Sequence, residues 1–219
     1  MHRDQALERL AEGCEATERS FPHWLAKVRS GDEYVDVIFS AGNGVAEVDA
    51  EWFQHAERAT ILGVRVALCP PEEMIWSKAF VMERERYDGA DVAHLIRATA
   101  ARLDWDRLAR RFEPHWRVLL SHLVLFGFVY PGERDAIPAV LIRELSARLA
   151  EEATTRVSDE RACLGTLLSR RQYLVDVERW GYRDGRLPPT GRMTADEIAA
   201  WTAAMRRDEV EAKGSVSPA

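Results

Sequence analysis

Pro70 and Pro71 divide this chain into two kinds of pattern. A Pro-Pro pair fits neither the interior of a strand ladder nor that of a helix. Ahead of the pair, apolar residues alternate or run in short β-branched stretches. EYVDVIFS (33–40) is the strongest strand pattern in the chain, and TILGVRVALC (60–69) reads as one strand or a pair. LAKVRS (25–30) is a weaker strand pattern, followed by the turn signal SGD. Beyond the pair, Pro71 with Glu72 and Glu73 has the composition of a first helical turn. The apolar period then predicts helices over 71–86, 89–99, 104–112, 114–129, 136–152, 170–180 and 194–207. Strands first and helices after predict an α+β fold, a small mixed sheet followed by a helical C-terminal half.

Local chemistry places several boundaries. Asp49 is a suitable N-cap for a helix in EVDAEWFQHAER, and Asp104 for LDWDRL. Thr194 with Glu197, and Ser169 with Gln172, have capping-box spacing, and Gly181 suits the end of the 170–180 helix. Residues 4–12 read as a short amphipathic helix, and 182–193 as a loop. The division expected is a partial α/β core over 1–70, helices packing on it over 71–130, and a helical extension over 131–219.

Of 219 residues, 30 are Lys or Arg and 36 are Asp or Glu, a net charge of −6. That balance disfavours a nonspecific nucleic-acid binder. No apolar run approaches the roughly 18 residues of a membrane helix. The N-terminus has no apolar signal core, so a cytoplasmic, non-membrane protein is expected. Cys14, Cys69 and Cys163 have neither disulfide-framework nor CxxC spacing.

Asp36 is the most informative side chain. Alternation puts Val35, Val37 and Phe39 on one face of the strand, and Tyr34, Asp36 and Ile38 on the other. A carboxylate in a strand apolar on both faces needs a cation, a metal or hydrogen bonds if it is buried. The alternative is an edge strand with Asp36 in water or paired to an arginine. Lys78 flanks the stripe Met74, Ile75, Ala79 and Met82, where it can reach water or an anionic ligand in a cleft. Asp88 and Asp91 suit a helix start, with Arg84 and Arg86 near enough to pair with them or with phosphate. Asp104 and Asp106 form the only D-x-D, but at i and i+2 on a helix their side chains diverge. His115 and His122 stand at i, i+7 without a third ligand. Tyr173, Val177 and Trp180 have core spacing, amid arginines that suit a solvated face. Neither GxxxxGK[ST] nor GxSxG occurs.

FPHWLAK, YVDVIFSAGNG and LCPPEEMIWSKAFVMERERYDGADVAHL together resemble the bacterial nucleotidyltransferase-like proteins. That superfamily includes the aminoglycoside and toxin–antitoxin nucleotidyltransferases. The likeness runs from about Phe21 to about Trp201 and is most specific over 34–95. It implies a small mixed sheet bearing three carboxylates that hold Mg²⁺ and align a nucleoside triphosphate for transfer to an acceptor. Under that resemblance Asp36 matches the third carboxylate, as metal or base ligand. Lys78 matches a lysine near the triphosphate. Asp88 and Asp91, with Arg84 in support, match the acidic stretch that closes the helix. No Gly-Gly or Gly-Ser turn and no D-x-D stands in the 35 residues before Asp36. The expectation is therefore a nucleotidyltransferase-like chain that is inactive by itself, with an exposed sheet edge and a homodimer or protein partner. The alternative is a non-enzymatic interaction module, antitoxin-like or regulatory, that retains the fold.

Overall fold

A computed structural model describes residues 16–21, 23–155 and 160–214, without the side chains of 16–20 and 206–214. The predicted helix 4–12 and Cys14 lie outside the described residues. The fold is α+β, as the order of patterns predicts. The chain divides into two compact units, one of residues up to Val48 with those from Ala162, the other of Asp49–Arg161.

The first unit opens with an antiparallel meander, β1 (Ala16–Phe21), β2 (Leu25–Ser30) and β3 (Glu33–Ile38), in that spatial order. A two-residue turn, Gly31-Asp32, joins β2 to β3, and Gly31 takes a φ of +58° that glycine adopts without strain. Its closing pair is Ser30 with Glu33, so Val35 and Val37 lie opposite Val28 and Ala26. Ala26, Val28 and Leu25 are buried. The same unit holds a short parallel pair, β6 (Ala162–Cys163) and β7 (Arg183–Asp184). It ends in a long helix, α8 (Ala195–Gly214). The capping box forms there: the Glu197 carboxylate accepts from the Thr194 backbone, and the Thr194 hydroxyl accepts from the Glu197 N–H.

The second unit starts with α1 (Ala50–Gln54), whose N-cap Asp49 accepts from the Glu51 N–H. A hairpin follows, β4 (Glu57–Ile61) and β5 (Val64–Leu68), so 60–69 contributes to a pair rather than one strand. Five helices complete the unit: α2 (Pro71–Ala79), α3 (Gly89–Thr99), α4 (Trp105–Arg111), α5 (Trp116–Val129) and α6 (Ala139–Thr154). Ile75, Ile96, Leu108, Phe112, Leu119 and Phe126 form its buried centre.

Two helical expectations are corrected. The helix from Pro71 ends at Ala79, not 86, because the chain folds back on itself: Asp88 N–H donates to the Val81 carbonyl and Met82 bridges to Tyr87. The helix over 170–180 shrinks to α7 (Leu174–Glu178). The Ser169 hydroxyl accepts from the Arg171 and Gln172 N–H groups and holds a turn there. Tyr173 and Trp180 are exposed instead of forming core.

Candidate functional site

Asp36 sits at the middle of β3, which is the outer strand of its sheet. Of the two readings of this strand, the edge strand is the one observed, with a lysine in place of the arginine as partner of Asp36. Tyr34, Val35 and Ile38 are 55%, 66% and 57% exposed, and the Asp36 side chain is 44% exposed. An edge strand receives packing from one neighbour only, so apolar residues on both faces do not make it interior. Cross-strand register sets Lys27 opposite Asp36, and its ammonium donates to the carboxylate at 3.0 Å. The same ammonium lies 4.2 Å from the centre of the Tyr34 ring, with Arg29 on that ring at 5.6 Å. The solvated face of the sheet is thus a row of Arg29, Tyr34, Lys27 and Asp36, with its charges paired locally.

Lys78, in the second unit, stands on the last turn of α2. The fold-back over 81–88 returns the chain to it and starts α3. Lys78 Nζ donates to Asp88 at 3.2 Å and to Asp91 at 2.7 Å. Arg86 grips Asp88 with a second fork, Nε and Nη2 at 3.1 and 3.2 Å. Asp88 is nearly buried, and it occupies the N-cap position of α3 without making the cap hydrogen bond expected of it. Its oxygens are committed to the two cations. Burial opposes its charge, yet the hydrogen bonds from Arg86 and Lys78 hold its carboxyl below the usual range. Burial likewise opposes the Lys78 charge, while Asp91 and Asp88 hold the ammonium above the usual lysine range. Gly89 admits this corner because the Tyr87 ring fills the place of its Cβ, 2.0 Å from the nearest ring atom. Arg84 turns outward to Glu85 at 2.9 Å, both strongly exposed.

Three of the residues selected by resemblance, Lys78, Asp88 and Asp91, therefore meet at one corner, joined by Arg86. The corner carries two cations and two carboxylates. Asp91 is the more exposed of the two carboxylates there. Among the described residues no group of three or more His, Cys, Asp and Glu side chains could hold a metal ion. Mg²⁺ demands near-octahedral oxygen ligation, usually carboxylates with substrate phosphates. Asp36, with one oxygen on Lys27, does not fit that ion as a complete protein site.

Two buried ionic groups escaped the sequence reading. Arg107 on α4 meets Glu72 and Glu73 at the start of α2, with Arg111 donating to Glu73 and Asp49. In the first unit, Asp184 accepts from Arg186 and from the Thr166 hydroxyl, all three buried. Arg107 and Arg111 at i, i+4, opposite Glu72-Glu73, were the only signal for the first; the second had none beyond Asp184 and Arg186 standing two apart. Asp104 is the N-cap of α4, accepting from the Arg107 N–H. The His122 imidazole donates from Nε2 to the Ala79 carbonyl, and His115 packs edge-on against Phe80.

No family model, no curated protein and no solved structure matches this chain. Among the described residues no helix is long and apolar enough to cross a membrane.

Proposed function

We propose that this chain is a nucleotidyltransferase-like protein, of the class that moves a nucleotidyl group from a nucleoside triphosphate to an acceptor. The described residues offer a phosphate-directed corner, Lys78 with Arg86, and one carboxylate, Asp36. They do not offer a complete reaction centre. The observation that carries this reading is the convergence of Asp88 and Asp91, 10 and 13 residues downstream, on the Lys78 ammonium. Asp88 and Asp91 hold Lys78 in place, and Asp91, half in water, is the partner a phosphate displaces.

Mg²⁺ would supply charge neutralisation of the triphosphate in the family reaction. Among the described residues, one lysine-paired carboxylate is too few ligands to hold that ion. The expected behaviour is triphosphate binding without transfer by this chain alone. Incubation with labelled ATP and Mg²⁺, with and without candidate protein, RNA and small-molecule acceptors, tests it. Asp36→Asn is the control. Nucleotide retained by the protein with no labelled acceptor fits the proposal; neither binding nor transfer with any nucleotide overturns it.

The alternative of a non-enzymatic interaction module is favoured by a separate observation: apolar side chains stand exposed along β3 and at the tip of the β4–β5 hairpin, where Leu62 is 99% exposed. On that reading the chain binds a protein and ignores nucleotides.

A further inference from the structure

We propose that β3 pairs antiparallel with β3 of a second copy, about a two-fold axis at Val35, joining two three-stranded sheets into one of six strands. The surface does not involve the Lys78 corner, and of the residues in the nucleotide reading it includes Asp36 alone.

The Ser30–Glu33 closing pair of a two-residue hairpin is a hydrogen-bonded pair, so Glu33, Val35 and Val37 exchange their backbone bonds with β2. The N–H and C=O groups of Tyr34, Asp36 and Ile38 consequently point to the open side. Among the described residues β3 has no neighbour on that side. Unpaired edge groups beside exposed apolar side chains are a template for strand addition.

The pattern of charges selects the occupant and its register. An antiparallel pairing of β3 with itself must place Tyr34, Asp36 and Ile38 opposite one another to use the outward groups. Setting Asp36 opposite Asp36 of the second copy is repulsive, as is setting Asp32 opposite Asp36. Setting Tyr34 opposite Asp36 of the second copy avoids every like-charge pair, and it pairs more of β3 (33–37) than the equally charge-free register with Asp36 opposite Ile38 (36–38). It makes two hydrogen-bonded pairs and puts Val35 opposite Val35 at the axis. On the solvated face the row then reads Arg29, Tyr34, then Asp36 and Lys27 of the second copy. Each carboxylate lies between the lysine it already holds and the aromatic ring and guanidinium of the other copy. On the opposite face Val28 and Val35 continue into their own equivalents, covering the 66%-exposed Val35. A sequence that suits itself across a two-fold axis in this way favours a second copy over an unrelated strand.

The axis position gives a test that reads register as well as mass. Val35 pairs with itself at a non-hydrogen-bonded site, where Cβ atoms lie about 4.5–5.5 Å apart. Val35→Cys is therefore expected to form an intermolecular disulfide under mild oxidation, at least fivefold above wild type oxidised alongside. Val37→Cys, which faces Glu33 of the second copy, is expected to stay at the wild-type level. Light scattering of the unmodified full chain at tens of micromolar is expected to give twice the chain mass, and Val35→Lys to give the single mass with an unchanged circular dichroism spectrum. A wild-type monomer at every concentration overturns the proposal. So does a dimer that survives Val35→Lys, or equal cross-linking through Val35→Cys and Val37→Cys. A β3 occupied by a different protein would appear as a monomer in the purified chain and counts against it.

Discussion

Arg107 holds Glu73 in the interior of the helical unit, its Nη1 donating to both carboxylate oxygens at 2.7 and 2.9 Å. Nη2 reaches Glu72 at 2.5 Å, and the other Glu72 oxygen accepts the Asp104 N–H at 2.7 Å. Glu73 is fully buried, and Glu72 and Arg107 nearly so. These bonds tie the start of α2 to the start of α4, and α2 carries Lys78 at its other end. Removing one partner leaves buried charge uncompensated, a loss of about 3–5 kcal/mol. Arg107→Met is expected to destabilise the protein by that amount in urea unfolding. Arg107→Lys is expected to recover only part, because an ammonium lacks the planar fork.

Asp184 and Arg186 form the corresponding pair in the other unit, with bonds of 2.7–3.2 Å between them. Arg186 is fully buried. Asp184→Asn leaves its guanidinium unpaired and is expected to cost several kcal/mol. Thr166→Val removes one neutral donor to the same carboxylate and is expected to cost about 1 kcal/mol. Comparable losses in the two variants, measured by thermal melting, would contradict this ordering.

Three histidines set a pH dependence. Burial pushes the imidazoles of His23, His115 and His122 below the ordinary value, while hydrogen bonds to the Gly42 and Ala79 carbonyls partly restore His23 and His122. Each is lowered in the fold, so the unfolded chain takes up protons first as pH falls. Their stabilisation is complete above about 6.5 and declines as pH drops through the unfolded value toward the folded ones. Asp49, Asp88 and Asp184 are lowered too, and their contribution is lost only below about pH 4. Melting temperature is therefore expected to fall between pH 7.5 and 5, above the range in which Asp49, Asp88 and Asp184 lose their contribution. His122→Gln, tested by the same scan, is expected to flatten that slope.

Leu62 occupies the first central position of the β4–β5 turn with φ +49°, ahead of Gly63 at +82°. Two positive φ values in a two-residue hairpin suit Asn-Gly, and leucine there is strained. Its side chain is almost fully exposed. Leu62→Asn is expected to raise stability by about 0.5–1 kcal/mol in chemical denaturation.

What the sequence revealed was local. The alternation in EYVDVIFS located β3, the caps at Asp49, Asp104 and Thr194 lay where their chemistry required, and the helical period located α2 to α6. Burial of Asp36 was illegible because a strand's own pattern does not say whether a second neighbour covers it. The end of α2 was misread since Met82 continues the apolar stripe, while the bridge from Met82 to Tyr87 depends on chain returning from downstream. Arg107 and Glu73 are 34 residues apart, and no local preference signals their meeting. Lys78, Asp88 and Asp91 were each singled out by helix position and then by resemblance, but no local pattern signalled that they meet.

Titration calorimetry of each of the four nucleoside triphosphates into the full chain, beside Lys78→Met, is the most direct measurement of the central claim. The account predicts saturable heat for at least one triphosphate, weakened tenfold or more in the variant, whose circular dichroism should match wild type. Absence of heat with all four, or equal affinity in a folded Lys78→Met protein, would contradict it.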